Sequence, residues 1–213
     1  LAGRWLSRLH TLAAGPAANA GLPDRGPGYY RGQLRSARAT LLAHLANPAL
    51  PADAVALMRA VIGQCDVADA NWADVETWCE PLPLTLVHAD FAPKNMRVRR
   101  GRAGDILLPF DWGSAGRGPP AADLSQAGPG DVWDYWAGPD LATYAEAARG
   151  VWPELGAADL QRLAAVGKVL RSLVCVNLEA PSFAFDWVER AVQDLRVYQA
   201  AMADAIRAAG WDG

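Results

Sequence analysis

Residues 84–111 hold the side chains in this chain that are best equipped for chemistry. His88, Asp90 and Asn95 follow the mostly apolar run 84–87 in the order H-x-D-x-x-x-x-N, and Asp111 closes a second apolar run at 106–110. A carboxylate carried on a loop can orient a hydroxyl and take its proton late in a reaction, the role that suits Asp90. Magnesium prefers oxygen donors, keeps several waters, and is usually held by one or two protein oxygens plus phosphates. The side-chain oxygens of Asn95 and Asp111 suit that task. A base beside such a metal site serves phosphoryl transfer, where the transferred group stays anionic and the protein mainly positions reactants and neutralises charge. His88 follows the run 84–87 directly, so its ring is expected to pack beneath the loop and fix it by hydrogen bonding, a structural role.

The pattern resembles the catalytic loop of a kinase, after which a short hairpin ends in an acidic metal ligand, here Asp111. More narrowly, VHADFAPKN followed by PFDWGSAGRGPPAADL resembles the aminoglycoside phosphotransferase and choline kinase family, a branch of the protein-kinase-like fold. The resemblance implies ATP as donor, Mg2+ as cofactor and a small-molecule acceptor. It also implies that Asp90 is catalytic, that Asn95 and Asp111 bind the metal and nucleotide, and that Asp123 braces the loop through hydrogen bonds. The opening WLSRLHTLA resembles the helix that begins the larger lobe of that family. The likeness runs from residue 5 to near the C-terminus, but only residues 87–124 are motif-grade.

Departures from the family pattern carry information too. Position 89 is alanine where glycine is common, and Trp112 replaces the commoner phenylalanine. Lys94 stands four residues after Asp90, whereas a protein kinase has its phosphate-neutralising lysine two after, where this chain has Ala92; Lys94 is given no catalytic role. No Gly-rich strand-turn-strand and no strand lysine precede the loop. The resulting expectation is a mainly α fold with a small β element (α+β), the large C-terminal lobe of a protein-kinase-like fold with the N-terminal nucleotide lobe absent. The chain starts at Leu1 on a helical pattern, which suggests a missing N-terminal lobe as its partner. Such a lobe keeps its metal ligands and acceptor pocket, binds ATP poorly and is inactive alone.

With 213 residues and 52% hydrophobic content, the chain can bury a core as one domain or one large lobe. The expected division is a helical part over 1–80, the catalytic loop and metal-binding hairpin over 81–126, and a helical acceptor-side part over 127–213. A net charge of −3 gives no footprint for nucleic acid, and the cluster Arg97, Arg99, Arg100 and Arg102 reads as a solvated hairpin turn. Cys65, Cys79 and Cys175 are odd in number and lack metal-ligand spacing, which argues against a disulfide framework and zinc and points to a reducing cytoplasm. No apolar run is long enough to span a membrane, and no signal peptide is visible. Oligomeric state is not legible.

The elements needed to position these groups follow from apolar spacing. Trp5, Leu6, Leu9 and Ala13 mark a first helix ended by Gly15 and Pro16, with His10 beside the stripe as a core histidine whose ring is satisfied. Residues 16–28 read as a loop; Leu34, Leu41, Leu42 and Leu45 mark a second helix stopping near Pro48. Pro51 opens a third through Val55, Met58 and Ile62 to Gly63, and residues 69–78 make a shorter fourth. Strands are predicted at 84–87, 96–100 and 105–110, with a turn at 101–104 and a loop at 113–120. Pro139 and Asp140 introduce a helix over 141–148, and Leu160, Leu163, Leu170, Leu173 and Val174 mark a long one. Trp187, Ala191, Leu195, Tyr198, Met202 and Ile206 fall at helical spacing on one buried face.

Acceptor-side candidates are Asp131, Trp133, Asp134, Trp136, Glu179 and Trp187. Their carboxylates suit a polycationic aminosugar, their tryptophans a quaternary ammonium, and DVWDYW equally suits an acidic helix start with packed aromatics. Function narrows to an ATP-dependent phosphotransferase acting on a hydroxyl of a small acceptor, a cationic one if those side chains line its pocket, and the sequence does not reveal which. The alternative is a kinase-like non-catalytic binding or regulatory module. Metal-assisted hydrolysis by His88 and Asp90 is the weaker third, because no second metal-ligand cluster accompanies them.

Overall fold

A computed structural model describes residues 1–15, 21–102, 104–124 and 139–211. The described helices are α1 (Ala2–Leu12), α2 (Pro27–His44), α3 (Ala52–Ala70), α4 (Trp72–Cys79), α5 (Ala121–Leu124), α6 (Leu141–Ala148), α7 (Ala157–Glu179) and α8 (Glu189–Ala209). The strands are β1 (Thr85–Val87), β2 (Met96–Arg99), β3 (Ile106–Pro109) and β4 (Gly116–Gly118). The chain is therefore mainly helical with small sheets, as its spacing predicts. None of the described helices is long and apolar enough to cross a membrane.

The long helix α7 runs through the centre of the helical body. It buries Leu160, Leu163, Val166, Val169, Leu170, Leu173 and Val176, and it packs against α2, α5 and α8. Each fully buried leucine of this kind stabilises the fold by about 1.5–3 kcal/mol relative to exposure. On α8, Ala191, Leu195, Met202 and Ile206 are buried and Tyr198 is half-buried. Trp187 departs from its predicted place on that face: it precedes α8, is 67% exposed, and stacks on exposed Phe185 at 4.9 Å. Helical spacing extended one turn too far, because the helix begins only at Glu189.

Helix α3 passes through Gly63, where the sequence predicts an end, and continues to Ala70. A mid-helix glycine costs about 1 kcal/mol against alanine, and the buried Cys65 and Ala68 beyond it offset that. Asp140 caps α6, its carboxylate accepting from the Thr143 N–H at 2.6 Å, and these hydrogen bonds hold it below the usual carboxylate range.

The β element consists of two antiparallel pairs. β2 and β3 form the expected hairpin, with Met96 opposite Pro109 and Arg99 opposite Ile106. β1 pairs with β4, setting Thr85 opposite Gly118 and Val87 opposite Gly116. Residues 116–118 were expected to be loop, since glycine weakens a strand. They are strand because the segment 23–25 crowds the same backbone: the Arg25 N–H donates to Arg117 O at 2.8 Å, and the Arg117 N–H to Pro23 O at 2.8 Å. A Cβ on Gly116 would collide with Pro23 O, and one on Gly118 would lie 2.6 Å from Arg25 O. Gly118→Ala is therefore expected to destabilise the protein by about 1–3 kcal/mol. Urea unfolding measures this, and a midpoint equal to wild type would contradict it.

Candidate active site

β1 delivers the loop. Thr85 and Val87 point inward, and the Thr85 hydroxyl donates to His10 O at 2.8 Å, fixing the strand against α1. The chain then turns at Ala89, whose φ of 59° is left-handed, a conformation that costs a residue with a Cβ about 1–2 kcal/mol. Asp123 holds that turn. Fully buried on α5, it accepts the His88 N–H at 2.8 Å through Oδ2 and the Ala89 N–H at 2.7 Å through Oδ1.

Behind Asp123 lies a buried chain of side chains. His10 Nε2 is 3.1 Å from Asp123 Oδ2, and His10 Nδ1 is 2.9 Å from the Tyr144 hydroxyl. Burial, reinforced by Asp123, pushes the Tyr144 phenol far above its ordinary range, so it keeps its proton. The arrangement that satisfies every group has Tyr144 donating to Nδ1 and Nε2–H donating to Asp123. The His10 ring is thus satisfied at both nitrogens, and it is coupled directly to the loop, which spacing on α1 does not reveal.

His88 joins the loop to the hairpin. Its Nε2–H donates to Phe110 O at 3.0 Å, and its Nδ1 accepts the Asp90 N–H at 3.3 Å. The Phe110 N–H donates to Asn95 O at 2.9 Å, so Asp111 follows the residue bonded directly to Asn95. Asp111 itself has φ 64° and an exposed side chain. Beneath the loop, Trp5 stacks on Phe91 at 5.5 Å, and the His88 ring lies 4.7 Å from Trp112 and 5.9 Å from Phe91. One histidine and a bed of aromatic rings therefore fix the bases of both Asp90 and Asp111.

Asp90 is surrounded by donors. Asn95 Nδ2 donates to Asp90 O at 3.0 Å and to Oδ2 at 2.9 Å, and Lys94 Nζ lies 3.3 Å from Oδ2. Arg171 Nη1, from α7, lies 2.6 Å from Oδ1 as an ion pair without hydrogen-bond alignment. Burial opposes the Arg171 charge, but Cys175 and Asp90 outweigh it and hold the guanidinium above its usual range. Sequence reasoning missed Arg171 and left Lys94 outside the site. A signal for Arg171 existed, since it is the single charge in the run VLRSLVCV.

Oxygen donors that could hold a cation are present. With its amide nitrogen spent on Asp90, Asn95 turns its remaining side-chain oxygen to no hydrogen-bond donor among the described residues. The Asp111 carboxylate is likewise exposed. Two such hard oxygens suit magnesium shared with phosphates, not a closed all-protein cage, and no group of three or more His, Cys, Asp or Glu side chains among the described residues could hold a metal. Cys65 and Cys79 do not enter: burial pushes both thiols up to about 12.

Of the acceptor-side candidates, Asp131, Trp133, Asp134 and Trp136 lie outside the described residues. Glu179 is half-buried at the end of α7, two turns beyond Arg171, about 12 Å along the axis. Trp187 and Phe185 lie nearly parallel, 7° apart, so each covers one face of the other and no cation fits between them.

A left-handed turn braced by a buried aspartate thus carries one carboxylate, and the end of a hairpin carries a second. The chain belongs to the phosphotransferase enzyme family, which matches residues 1–166, and the resemblance carried by residues 87–124 is borne out. Among solved structures, it is similar to the crystal structure of a spectinomycin phosphotransferase in complex with ADP and spectinomycin. That likeness has a TM-score of 0.53 at 12% identity, covering 97% of this chain and 63% of the other, and at such identity it is a likeness of fold. This chain thus spans less than two thirds of that protein's length. No curated protein matches it.

Proposed function

We propose that this chain is the larger lobe of an ATP-dependent small-molecule kinase that phosphorylates a hydroxyl group. The observation that carries the reading is the coupling of the two carboxylates: Asp90 and Asp111 stand on backbone joined by His88 and by the Phe110–Asn95 hydrogen bond. A positioning mechanism needs its groups on a rigid base of this kind. Asp90 orients the acceptor hydroxyl and takes its proton as the oxygen bonds to phosphorus and the leaving oxygen departs with ADP. Asn95 and Asp111 would hold magnesium, which supplies neutralisation of phosphate charge when bound. His88 and Asp123 keep the loop in shape.

The proposed division keeps the helical part over 1–80, the loop and hairpin over 81–126 and the acceptor-side helices over 127–213. Nucleotide grip then comes from a lobe that these residues do not contain, in accord with the 63% share of the solved relative that the chain spans. The hairpin presents Ile106, Leu108 and Phe110 on one face, each 41–44% exposed, a face suited to that lobe. The solved structure that resembles this chain holds ADP and spectinomycin, which supports a nucleotide donor and a small-molecule acceptor for this reading.

Asp111→Ala is expected to weaken magnesium-dependent ATP binding by the protein at its natural length at least tenfold, leaving metal-free nucleotide binding unchanged. Calorimetric titration with and without magnesium reads this directly. Equal magnesium dependence in both proteins would remove Asp111 from the metal site.

A further inference from the structure

Arg171 lies beyond the residues matched by the family, 1–166, and nothing in the kinase pattern calls for it. Its guanidinium nevertheless reaches Asp90, the group placed at the centre of the reaction. Asp90 Oδ1 is fully covered and has no aligned hydrogen-bond donor, while Arg171 Nη1 sits 2.6 Å from it. The other carboxylate oxygen is already occupied, by Asn95 Nδ2 at 2.9 Å and Lys94 Nζ at 3.3 Å. An arriving hydroxyl therefore finds one oxygen bonded and the other under a guanidinium.

Charge around Asp90 is not balanced. Arg171 and Lys94 share its single negative charge. The titratable groups facing Arg171 from the surrounding elements are Asp90 of the loop, Cys175 of α7, Tyr198 of α8 and Tyr30 of α2, the last kept neutral by burial. Tyr198 is pushed up to about 12, first by burial, so it is a neutral hydroxyl at working pH. Glu179 and Asp194 act on Tyr198, and Asp194 is paired with Arg190 at 2.7 Å. In direct contact, then, the single charge of Asp90 meets two cations, while Glu179 and the Asp111 carboxylate form no ion pair with Arg171 among the described residues. Arg171 is also 26% exposed at its side chain, and a guanidinium has five donors, only one of which meets Asp90 here.

We propose that Arg171 is a specificity-determining residue that selects acceptors carrying an anionic group, a carboxylate or phosphate, beside the hydroxyl that is phosphorylated. This rests on the kinase reading of Asp90. An anionic group draws the guanidinium off Oδ1 by forming the bidentate pair that arginine favours, so one contact both anchors the acceptor and uncovers the base. A cationic acceptor must instead expel two protein cations from Asp90. The cationic acceptor that the sequence leaves open gives way to an acidic one on this ground.

Binding of matched probes to the protein at its natural length tests the proposal. The probes are glycerate, glycerol and aminopropanediol, then gluconate, sorbitol and glucamine, each set differing in one terminal group. Wild type is expected to bind the acids at least about tenfold more tightly than the alcohols and amines. Arg171→Gln is expected to erase that preference, and Arg171→Lys to restore part of it, at unchanged melting temperature. Equal or tighter binding of the amines, no binding of either acid, or an acid preference that survives Arg171→Gln would overturn the proposal. Failure of the kinase reading shows separately, as magnesium-dependent nucleotide binding that ignores Asp111→Ala.

Discussion

Replacing Asp90 with alanine is expected to lower kcat for acceptor phosphorylation by about 10²–10⁴-fold, the usual contribution of a positioned general base. The Michaelis constant for ATP should change little, because Asp90 is placed on the acceptor side and not among the metal ligands. Folding should survive. Asp90 holds the loop mainly through its backbone, whose carbonyl accepts the Ala92 N–H at 2.8 Å and the Asn95 amide at 3.0 Å. Loss of the side chain leaves Arg171 partly exposed, so the guanidinium can turn to water. Steady-state kinetics with both substrates varied separates these effects, and a variant that keeps wild-type kcat would exclude Asp90 as the base.

Asp123→Ala is expected to destabilise the protein by about 3–5 kcal/mol, because it leaves several buried donors without their acceptor at about 1–3 kcal/mol each. Three donors converge on its carboxylate: the N–H groups of His88 and Ala89 and Nε2 of His10. The donors of His88 and His10 cannot reach water when the carboxylate is removed, because His10, His88 and Asp123 are all fully buried, whereas Ala89 is half-buried. The left-handed turn at Ala89 also loses the acceptor that offsets its strain. Such a loss is a large share of a total stability of about 5–15 kcal/mol. Asp123→Asn, which keeps one acceptor oxygen, should fall between the two proteins. Chemical unfolding provides the measurement; a change below about 1 kcal/mol in the alanine variant would mean that the loop does not depend on this carboxylate.

Much of the site was legible because its residues are close in sequence. His88, Asp90, Asn95 and Asp111 lie within 24 positions, so spacing alone could group them, and Asp123 entered through family resemblance. His10, Tyr144 and Arg171 could not be found that way. Their partners lie 113, 134 and 81 residues away, as His10–Asp123, His10–Tyr144 and Arg171–Asp90, and only the packing of α1, α6 and α7 around the loop brings them together. The helices followed from apolar spacing, with errors at their ends and at Gly63, where tertiary burial overrode local preference. β4 was invisible for a related reason: its glycines suit close contact with residues 23–25, a constraint that local sequence does not express.

Transfer of the phosphoryl group is the central claim, and following the γ-phosphate of labelled ATP tests it most directly. The protein at its natural length, with magnesium and a panel of hydroxylated acids, alcohols and amines, should place the label in an acceptor ester. Omitting magnesium should abolish that product, and Asp90→Ala should slow its formation by about 10²–10⁴-fold. Label that appears only as inorganic phosphate, or an ester formed equally well by the Asp90→Ala protein, would contradict the account.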